Sequence, residues 1–512
     1  MSRFELRPYQ AACVEAVLAK FREFRRLLVV VPTAGGKTVI FSELARRTQP
    51  TRTLILAHRE ELLAQAADKL HRSTGLVAEM ERAEHRASRD AAVVVASVQT
   101  LMRDARLTSW PADHFGTVVV DEAHHVLADS YQRVLAHFHD HAKVLGVTAT
   151  PDRGDKKNLG TYFEDIAFEV GLHDLINQGY LARIAVRTMP VRIDLAGVRT
   201  TAGDYNDADL GDAIEPVLRE IVASLRGAIS DRKTIVFLPL VRTSKRFVEL
   251  CQEAGFTAAH IDGTSEDRRE ILARFAAGEF QILSNSMLLT EGFDEPSIGC
   301  VICLRPTKVR ALYAQIIGRG TRLHPGKENL LVLDFLWMTE KHALVRPAHL
   351  VARTPEIADA MIARAEAASG MEEQLDLLDE ESDAQSQREA KLAAEVAAHS
   401  RRTSRLIDPV ELALSLHETD LAEYEPTMAW QSQPATAKQL ASIRQLGIDA
   451  DLIRNKGHAS AILDRMFSRR ALKLATPKQV AWLRRTGHPR PETATFTEAS
   501  AWLSTKFNGR AA

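Results

Sequence analysis

The chain is poor in the features that cross-link or anchor a fold. It has four cysteines in 512 residues: Cys13, Cys251, Cys300 and Cys303. Their spacing outlines no disulfide framework, which excludes the small cross-linked secreted scaffolds and suits a reducing cytoplasm. Cys300 and Cys303 have C-x-x-C spacing, but no second pair follows. Within Cys-Val-Ile-Cys-Leu they read as a buried strand rather than a metal site. No apolar run reaches membrane-spanning length, and the opening Met-Ser-Arg-Phe-Glu-Leu-Arg lacks an apolar signal core. The expectation is a cytoplasmic protein with no membrane partner. Net charge is missing as well: 66 Lys and Arg against 67 Asp and Glu leave −1. Global charge therefore neither supports nor excludes nucleic-acid binding, and only local clusters can speak to it.

What is present is an ordinary soluble composition, 45% apolar and 26% charged, long enough for about three domains. The chain is organised around residues 27–38. An apolar run, Leu27 to Val31, leads into Thr33-Ala34-Gly35-Gly36-Lys37-Thr38, and Val39, Ile40, Phe41 and Leu44 follow at helical spacing. Strand, glycine loop and helix is the context of a phosphate-binding loop. Backbone N–H groups and the helix dipole would converge on phosphate oxygens. Lys37 would reach the outer phosphates and the Thr38 hydroxyl would bind Mg²⁺. The first glycine of G-x-x-x-x-G-K-[ST] falls on Val31, so the match is partial. A plain glycine turn is the competing reading.

Four further apolar runs follow: Leu54 to Ala57, Val93 to Ala96, Val118 to Val120 and Val144 to Val147. Continuous runs of this kind are strands buried on both faces, the pattern of a parallel sheet covered by helices. Ligands bind such sheets at the carboxyl ends of the strands. There the sequence places Asp121-Glu122-Ala123-His124-His125 and Thr148-Ala149-Thr150-Pro151. Asp121 is placed to hold Mg²⁺ opposite Thr38, and Glu122 to polarise an attacking water. An exposed acidic turn is the bland alternative. The H-E-x-x-H of a zinc protease is absent. Upstream, Arg7-Pro8-Tyr9-Gln10 opens a helical stretch, Ala11 to Phe24. The Gln10 amide carries a donor and an acceptor, enough to bond an adenine edge, or the tetrapeptide simply opens the helix.

Strand-like runs resume at Ile235 to Leu238, Phe280 to Leu283, Val301 to Leu304 and Leu330 to Leu333. Between and after them stand Thr290-Glu291-Gly292-Phe293-Asp294 and Gln315-Ile316-Ile317-Gly318-Arg319-Gly320-Thr321-Arg322. Arg319 and Arg322 are three apart and would share a helix face. Aimed across a cleft, two guanidiniums would stabilise charge on a transferred phosphoryl group.

Taken in order, these stretches resemble the motifs of a superfamily two helicase of the DEAH-box type, over Met1 to about Trp337. Their style is closest to bacterial RadD-like DNA-repair helicases, although the cysteines of a zinc module found in such proteins are lacking. The resemblance implies two RecA-like parallel-sheet domains in tandem that clamp ATP, with Mg²⁺, between them. It places Arg7, Gln10, Thr33, Ala34, Gly35, Gly36, Lys37, Thr38, Gly292 and Asp294 around the nucleotide. It gives Lys37, Asp121, Glu122, Arg319 and Arg322 the catalytic roles. His58 and Arg59 in Leu56 to Leu62, Ser97, Gln99 and Thr100, and Thr290 would touch a nucleic-acid backbone. Taken singly, several of these are also ordinary helix caps.

The expected organisation is a first RecA-like domain over 1–183, an irregular connector over 184–215 and a second RecA-like domain over 216–350. A helical and acidic linker region (351–429) and a helical repeat module (430–512) would follow. Within the linker, Met371 to Asp383 is acidic and reads as exposed. In the last segment Ala435 to Gly447 and Ala475 to Gly487 are similar at an offset of 40 residues, with Thr436 and Thr476 as caps and Gly447 and Gly487 as stops. From Trp430 onward 14 Lys and Arg face 5 Asp and Glu, clustered at Arg465, Arg469, Arg470, Lys473, Arg484 and Arg485. That local excess suits accessory nucleic-acid binding; packing or a protein partner is the alternative. Trp482 and Trp502 read as core residues. The favoured function is an ATP-dependent DNA helicase or translocase in repair or recombination. An RNA helicase and an ATP-switched scaffold are the rivals.

Overall fold

The computed structural model describes residues 5–57, 60–149, 159–201, 203–263, 265, 267–286, 289, 293–338, 344–352, 355–367, 374–385 and, discontinuously, most of 421–508. Expectations at His58, Arg59, Thr150, Pro151, Thr290, Gly292, Gly447, Gly487, Arg484 and Arg485 lie outside the described residues. The chain divides into two compact units, Met1–Glu381 and Ser382–Ala512.

The first unit holds two seven-stranded sheets. Sheet one is built from β1 (Arg26–Val30), β2 (Thr53–Ala57), β3 (Ala78–Glu81), β4 (Val93–Ser97), β5 (Thr117–Asp121), β6 (Lys143–Thr148) and β7 (Asp165–Glu169). They run in the order β3-β4-β2-β5-β6-β1-β7, all parallel. The valine and leucine runs form strands because both of their faces are covered; Leu27 to Val31 are fully buried. β3 and β7 escape the apolar-run criterion because each mixes acidic and apolar residues and is only partly buried. The register sets Val30 beside Thr148 and Val147 beside Asp121. Three strands therefore deliver the glycine loop, Asp121 and Thr148 to one edge.

Sheet two contains β8 (Arg183–Asp194), β11 (Thr234–Phe237), β12 (Ala258–Ile261), β13 (Ile282–Asn285), β14 (Cys300–Cys303), β15 (Asn329–Met338) and β16 (Leu375–Asp376). Their order is β12-β13-β11-β14-β15-β8-β16, parallel except for β16. Cys300 and Cys303 lie fully inside β14, where burial pushes both thiols up to about 12. The two lobes, each a parallel-rich sheet with flanking helices, are tandem RecA-like domains.

Two expectations are corrected here. The stretch 184–215 is not an irregular connector. It begins as β8, which pairs with β15 along ten residues, and continues through the hairpin β9 (Thr200–Thr201) and β10 (Asp204–Tyr205) into a helix, Asp207–Ile214. In β8 burial alternates from Met189 to Asp194, and the outward Pro190, Arg192 and Asp194 broke the apolar run and hid a strand inside what looked like a loop. The acidic stretch is not an exposed linker either. Its β16 closes the edge of sheet two; Asp376 and Asp379 both bind Arg183 at 2.8 Å, and Glu380 binds Arg364 at 3.2 Å. Glu381 is buried beside His173. Among its described residues Asp376, Asp379 and Glu380 are paired with arginines, which composition alone does not show.

In the second unit the 40-residue repeat is visible as repeated hydrogen bonding. Thr436 N–H donates to Gln439 Oε1 and Thr476 N–H to Gln479 Oε1, each at 2.9 Å. Gln439 Nε2 donates to Ser460 Oγ and Gln479 Nε2 to Ser500 Oγ, again at 2.9 Å each. Both copies thus close a capping box whose glutamine also ties the first helix to the second. They have separate cores: Ile443, Ile448, Ala459 and Ile462 in one, Ala475, Val480, Leu483 and Ala499 in the other. Trp502 packs on the second core and donates to Thr486 Oγ1 at 3.0 Å. Trp482, expected in the core, is 44% exposed, because Val480 and Leu483 occupy the inward positions of its helix.

Candidate active site

The glycine loop joins β1 to the helix Lys37–Arg47. Val31 continues the strand, its N–H donating to Thr148 O at 3.0 Å. This explains the missing first glycine: position 31 is the fully buried end of a strand, where a valine packs well. Gly35 and Gly36 are required by space and dihedral angle. A Cβ on Gly35 would lie 2.6 Å from Val31 Cγ1, and Gly36 has φ +80° with Gln10 Nε2 only 2.5 Å from where its Cβ would be. Ala34, at φ +67°, also adopts the left-handed region.

The opening tetrapeptide lies against this loop. Tyr9 Oη donates to Gly35 O at 2.6 Å, an anchor that attention to Gln10 alone overlooks. Burial raises the Tyr9 phenol further above its ordinary range, so it stays a donor at neutral pH. Gln10 Oε1 accepts from Arg7 N–H at 3.0 Å, while its Nε2 lies 3.4 Å from Tyr9 Oη. Arg7 donates to Tyr180 O at 3.2 Å and sits over the Tyr180 ring. The amide that could read an adenine edge here caps its own helix.

At the end of β5, Asp121 Oδ1 accepts from Glu122 N–H at 3.0 Å. Glu122 itself has φ +51°, ψ +57°, a conformation costing roughly 1–2 kcal/mol for a residue with a Cβ. The turn directs its carboxylate to Lys37: Oε1 lies 2.9 Å from Nζ, with both side chains about nine-tenths buried. His124 Nδ1 is 3.5 Å from the other carboxylate oxygen. Lysine, acid and glycine loop thus form one cluster. Thr38 follows Lys37 in the first helical turn.

The second lobe meets this cluster directly. The helix Arg310–Gly318 ends against the loop, and a Cβ at Gly318 would lie 2.4 Å from Thr33 Cβ. Arg319 caps that helix and Arg322 lies in the loop beyond it, so the two do not share a helix face as expected. Arg319 is buried, with Nη1 donating to Phe293 O at 2.9 Å. Arg322 Nε lies 2.9 Å from Asp294 Oδ1, and Asp294 Oδ2 is 3.2 Å from Lys69 of the first lobe. Burial would raise the Asp294 carboxyl, but Arg322 and Lys69 overcome it and hold the group below its usual value. Asp294 is therefore a bridge between lobes and a rest for Arg322. Lys69, in the middle of Glu60–Thr74, had no sequence signal pointing to it.

Upstream, the hairpin fixes where the arginine helix starts. Asp204 accepts from Thr307 Oγ1 at 2.7 Å, Lys308 N–H at 2.8 Å and Arg305 Nη1 at 2.9 Å. Three buried polar atoms have no hydrogen-bond partner among the described residues: Thr33 Oγ1 in the glycine loop, Thr148 Oγ1 at the end of β6 and Arg322 Nη1 on the second lobe. Such orphans are costly unless a ligand or water completes them, and two hydroxyls with a guanidinium N–H fit a phosphate. Of the expected nucleic-acid contacts, Ser97 and Thr100 are buried. Ser97 Oγ donates to Gln99 Oε1 at 2.8 Å and Thr100 Oγ1 accepts from Ala83 N–H at 3.1 Å. Gln99 is exposed.

The tight fit at Gly318 makes a testable prediction. Gly318→Val is expected to push the seam apart, an overpacking cost of about 1–3 kcal/mol. ATP turnover should fall while ATP binding to the first lobe persists, read by steady-state kinetics and nucleotide titration. Wild-type turnover would mean that helix end and loop separate during the reaction.

The family model for the type III restriction enzyme res subunit matches residues 3–153, and that for the helicase conserved C-terminal domain matches 216–324. The chain belongs to superfamily two of the helicases. It is 31% identical over 376 residues to the putative ATP-dependent helicase IRC3 of Saccharomyces cerevisiae, covering 69% of this chain and 54% of that protein. It is 28% identical over 356 residues to the putative DNA 3'-5' helicase Rad25 of Halobacterium salinarum, covering 68% of this chain and 57% of that one. The chain thus spans little more than half the length of these relatives. Its fold is shared with the fragment of a putative HsdR subunit of a type I restriction enzyme from Vibrio vulnificus: TM-score 0.53, 20% identity, 68% of this chain and 67% of that one. No described helix is long and apolar enough to cross a membrane.

Proposed function

We propose that the chain is an ATP-driven helicase or translocase acting on DNA, in repair or recombination. The observation that carries this reading is the seam itself, where Gly318, the residue before Arg319, packs on Thr33 of the loop that leads to Lys37. Lys37 and the N-terminal turn of its helix bind the phosphates, with Gly35 and Gly36 leaving room for their approach. Arg7 and Gln10 line the base end. Thr38 and Asp121 would hold Mg²⁺, which when bound neutralises phosphate charge. Glu122 orients the attacking water and accepts its proton, once the phosphates draw Lys37 away from its carboxylate. Arg319 and Arg322, released from Phe293 O and Asp294, stabilise the transferred phosphoryl group. Opening and closing of the seam then moves the lobes along a phosphate backbone, with exposed Gln99 among the contacts. A relative named as a DNA helicase supports DNA over RNA.

The test is ATPase stimulation by single-stranded DNA, duplex DNA and RNA, over a salt series. DNA should stimulate and salt should weaken the effect steeply. Stimulation by RNA alone would establish the rival. The basic repeat unit serves as an accessory nucleic-acid-binding module. Removing Ser382–Ala512, a compact unit of its own, should leave basal ATPase intact and weaken DNA affinity. Undiminished DNA affinity with loss of a protein partner would favour the scaffold reading.

A further inference from the structure

Three consecutive carbonyls in the arginine loop are all held, two of them by one side chain. Lys327 Nζ donates to Gly320 O and to Arg322 O, the latter at 3.0 Å, and reaches Pro296 O at 3.4 Å. The carbonyl between them, Thr321 O, accepts from Ala182 N–H at 2.8 Å. Gly320 sits so close to β15 that a Cβ there would lie 2.3 Å from Leu330 Cδ1. The backbone carrying Arg322 is thus fixed from three sides. Pro296 belongs to the loop that supplies Phe293 and Asp294, the partners of Arg319 and Arg322. One ammonium therefore ties together the two chain segments that aim the arginines.

We infer that Lys327 is a positioning residue for the arginine pair, its three N–H groups holding the 320–322 backbone and the Pro296 loop in one arrangement. This rests on the catalytic reading of Arg319 and Arg322 given above. All of Lys327's hydrogen-bond partners are carbonyls. The charges facing it are cationic: Arg322 on its own loop, and Arg232 before β11, whose Nη1 binds Gly299 O and Asn329 O. Glu295, beside Pro296, lies 3.8 Å from Lys233. Burial first, then Arg322 and Arg232, lower the ammonium from 10.5 to about 8. Below that pH Lys327 is charged and offers three donors; above it the amine keeps two and loses its charge. The positioning is therefore present at neutral pH and fades on the alkaline side.

The experiment is steady-state ATPase of the full chain with DNA, from about pH 6.5 to about pH 9.5, for wild type, Lys327→Met, Lys327→Arg and Arg322→Ala. Lys327→Met should lower kcat about tenfold or more near pH 7, with KM for ATP within about twofold, since misplacement acts on the transition state. Lys327→Arg should recover most of kcat and shift the alkaline limb to higher pH, a shift that a merely structural lysine would not produce. Wild-type kcat and pH profile in Lys327→Met, with Arg322→Ala inactive, would refute the positioning role and leave the ATP-site reading standing. Full activity in Arg322→Ala would remove the reading on which it rests. If Lys327→Met does not fold, the other two profiles decide: coincident alkaline limbs for wild type and Lys327→Arg overturn the inference.

Discussion

Arg319→Ala and Arg322→Ala should each lower ATP turnover by about 10³- to 10⁵-fold, the range for a guanidinium that stabilises a transferred phosphoryl group. The geometry argues for the large end at Arg322. Its Nη1 is buried and without a hydrogen-bond partner among the described residues, so the cost of placing it there is already met in the fold. Burial lowers its pKa and Asp294 counters this, but a guanidinium remains charged at any working pH. Arg319 has a second job, because its Nη1 holds Phe293 O. Arg319→Ala should therefore also loosen the loop that carries Asp294, and show a lower Tm than Arg322→Ala. ATP binding, measured by titration, should change only a few-fold in either, since the lysine cradle lies on the other lobe. Arg322→Lys should recover little, because a point charge cannot reproduce the planar fork. Turnover within about tenfold of wild type in both alanine variants would exclude the two-lobe site.

Glu122→Gln should lose turnover by about 10²- to 10⁴-fold, as expected for a general base. Its effect on binding is the sharper readout. In the structure Glu122 holds Lys37 at 2.9 Å, so phosphates must compete with a carboxylate for the lysine. The amide of glutamine is a weaker competitor. ATP affinity in Glu122→Gln should thus equal or exceed that of wild type, whereas Lys37→Ala should weaken nucleotide binding and turnover together. Loss of ATP binding in Glu122→Gln would mean that the ion pair builds the loop rather than waiting for substrate. Normal turnover would mean that another group activates the water.

The seam bears on the pH behaviour of the motor. The Asp294 carboxyl is held low by Arg322 and Lys69, and a carboxylate of that kind contributes stability that is lost only as pH falls through its folded pKa. The Lys69–Asp294–Arg322 bridge should persist through mildly acid solution. Side-chain exposures of 39% for Lys69 and 36% for Asp294 mean that solvent screening keeps the outer half of the bridge weak. The packed contact of Gly318 on Thr33, unlike the ion pairs, is not weakened by such screening.

Legibility in the sequence followed burial. The central strands β1, β2, β4, β5 and β6 are continuous apolar runs because both of their faces are covered, and a run of that kind needs no partner to be recognised. β8 and β16 are an edge pair whose identity depends on β15 and on Arg183, residues distant in sequence. The acidic stretch was misread for the same reason: charge in a linear text looks solvated until its cations are placed beside it. The repeat was legible because a 40-residue offset preserves the Thr–Gln capping pair in both copies. Trp482 was not, since a helix of a few turns does not say which apolar residue is left outside.

By itself the order of residues determined the family, the two parallel-sheet lobes and the chemical types at the site: lysine and glycines on one strand end, paired acids on another, two arginines just past a helix. Each is a local matter of backbone freedom, strand burial or side-chain chemistry. Only the tertiary structure decided that Gly318 rests on Thr33, that Glu122 waits on Lys37, that Asp294 joins Lys69 to Arg322, and that Lys327 holds the arginine loop. Those contacts join residues up to 285 positions apart, as Thr33 and Gly318 are. Some lie within one lobe and others across the seam, but each depends on chain segments brought together in three dimensions, which no local pattern encodes.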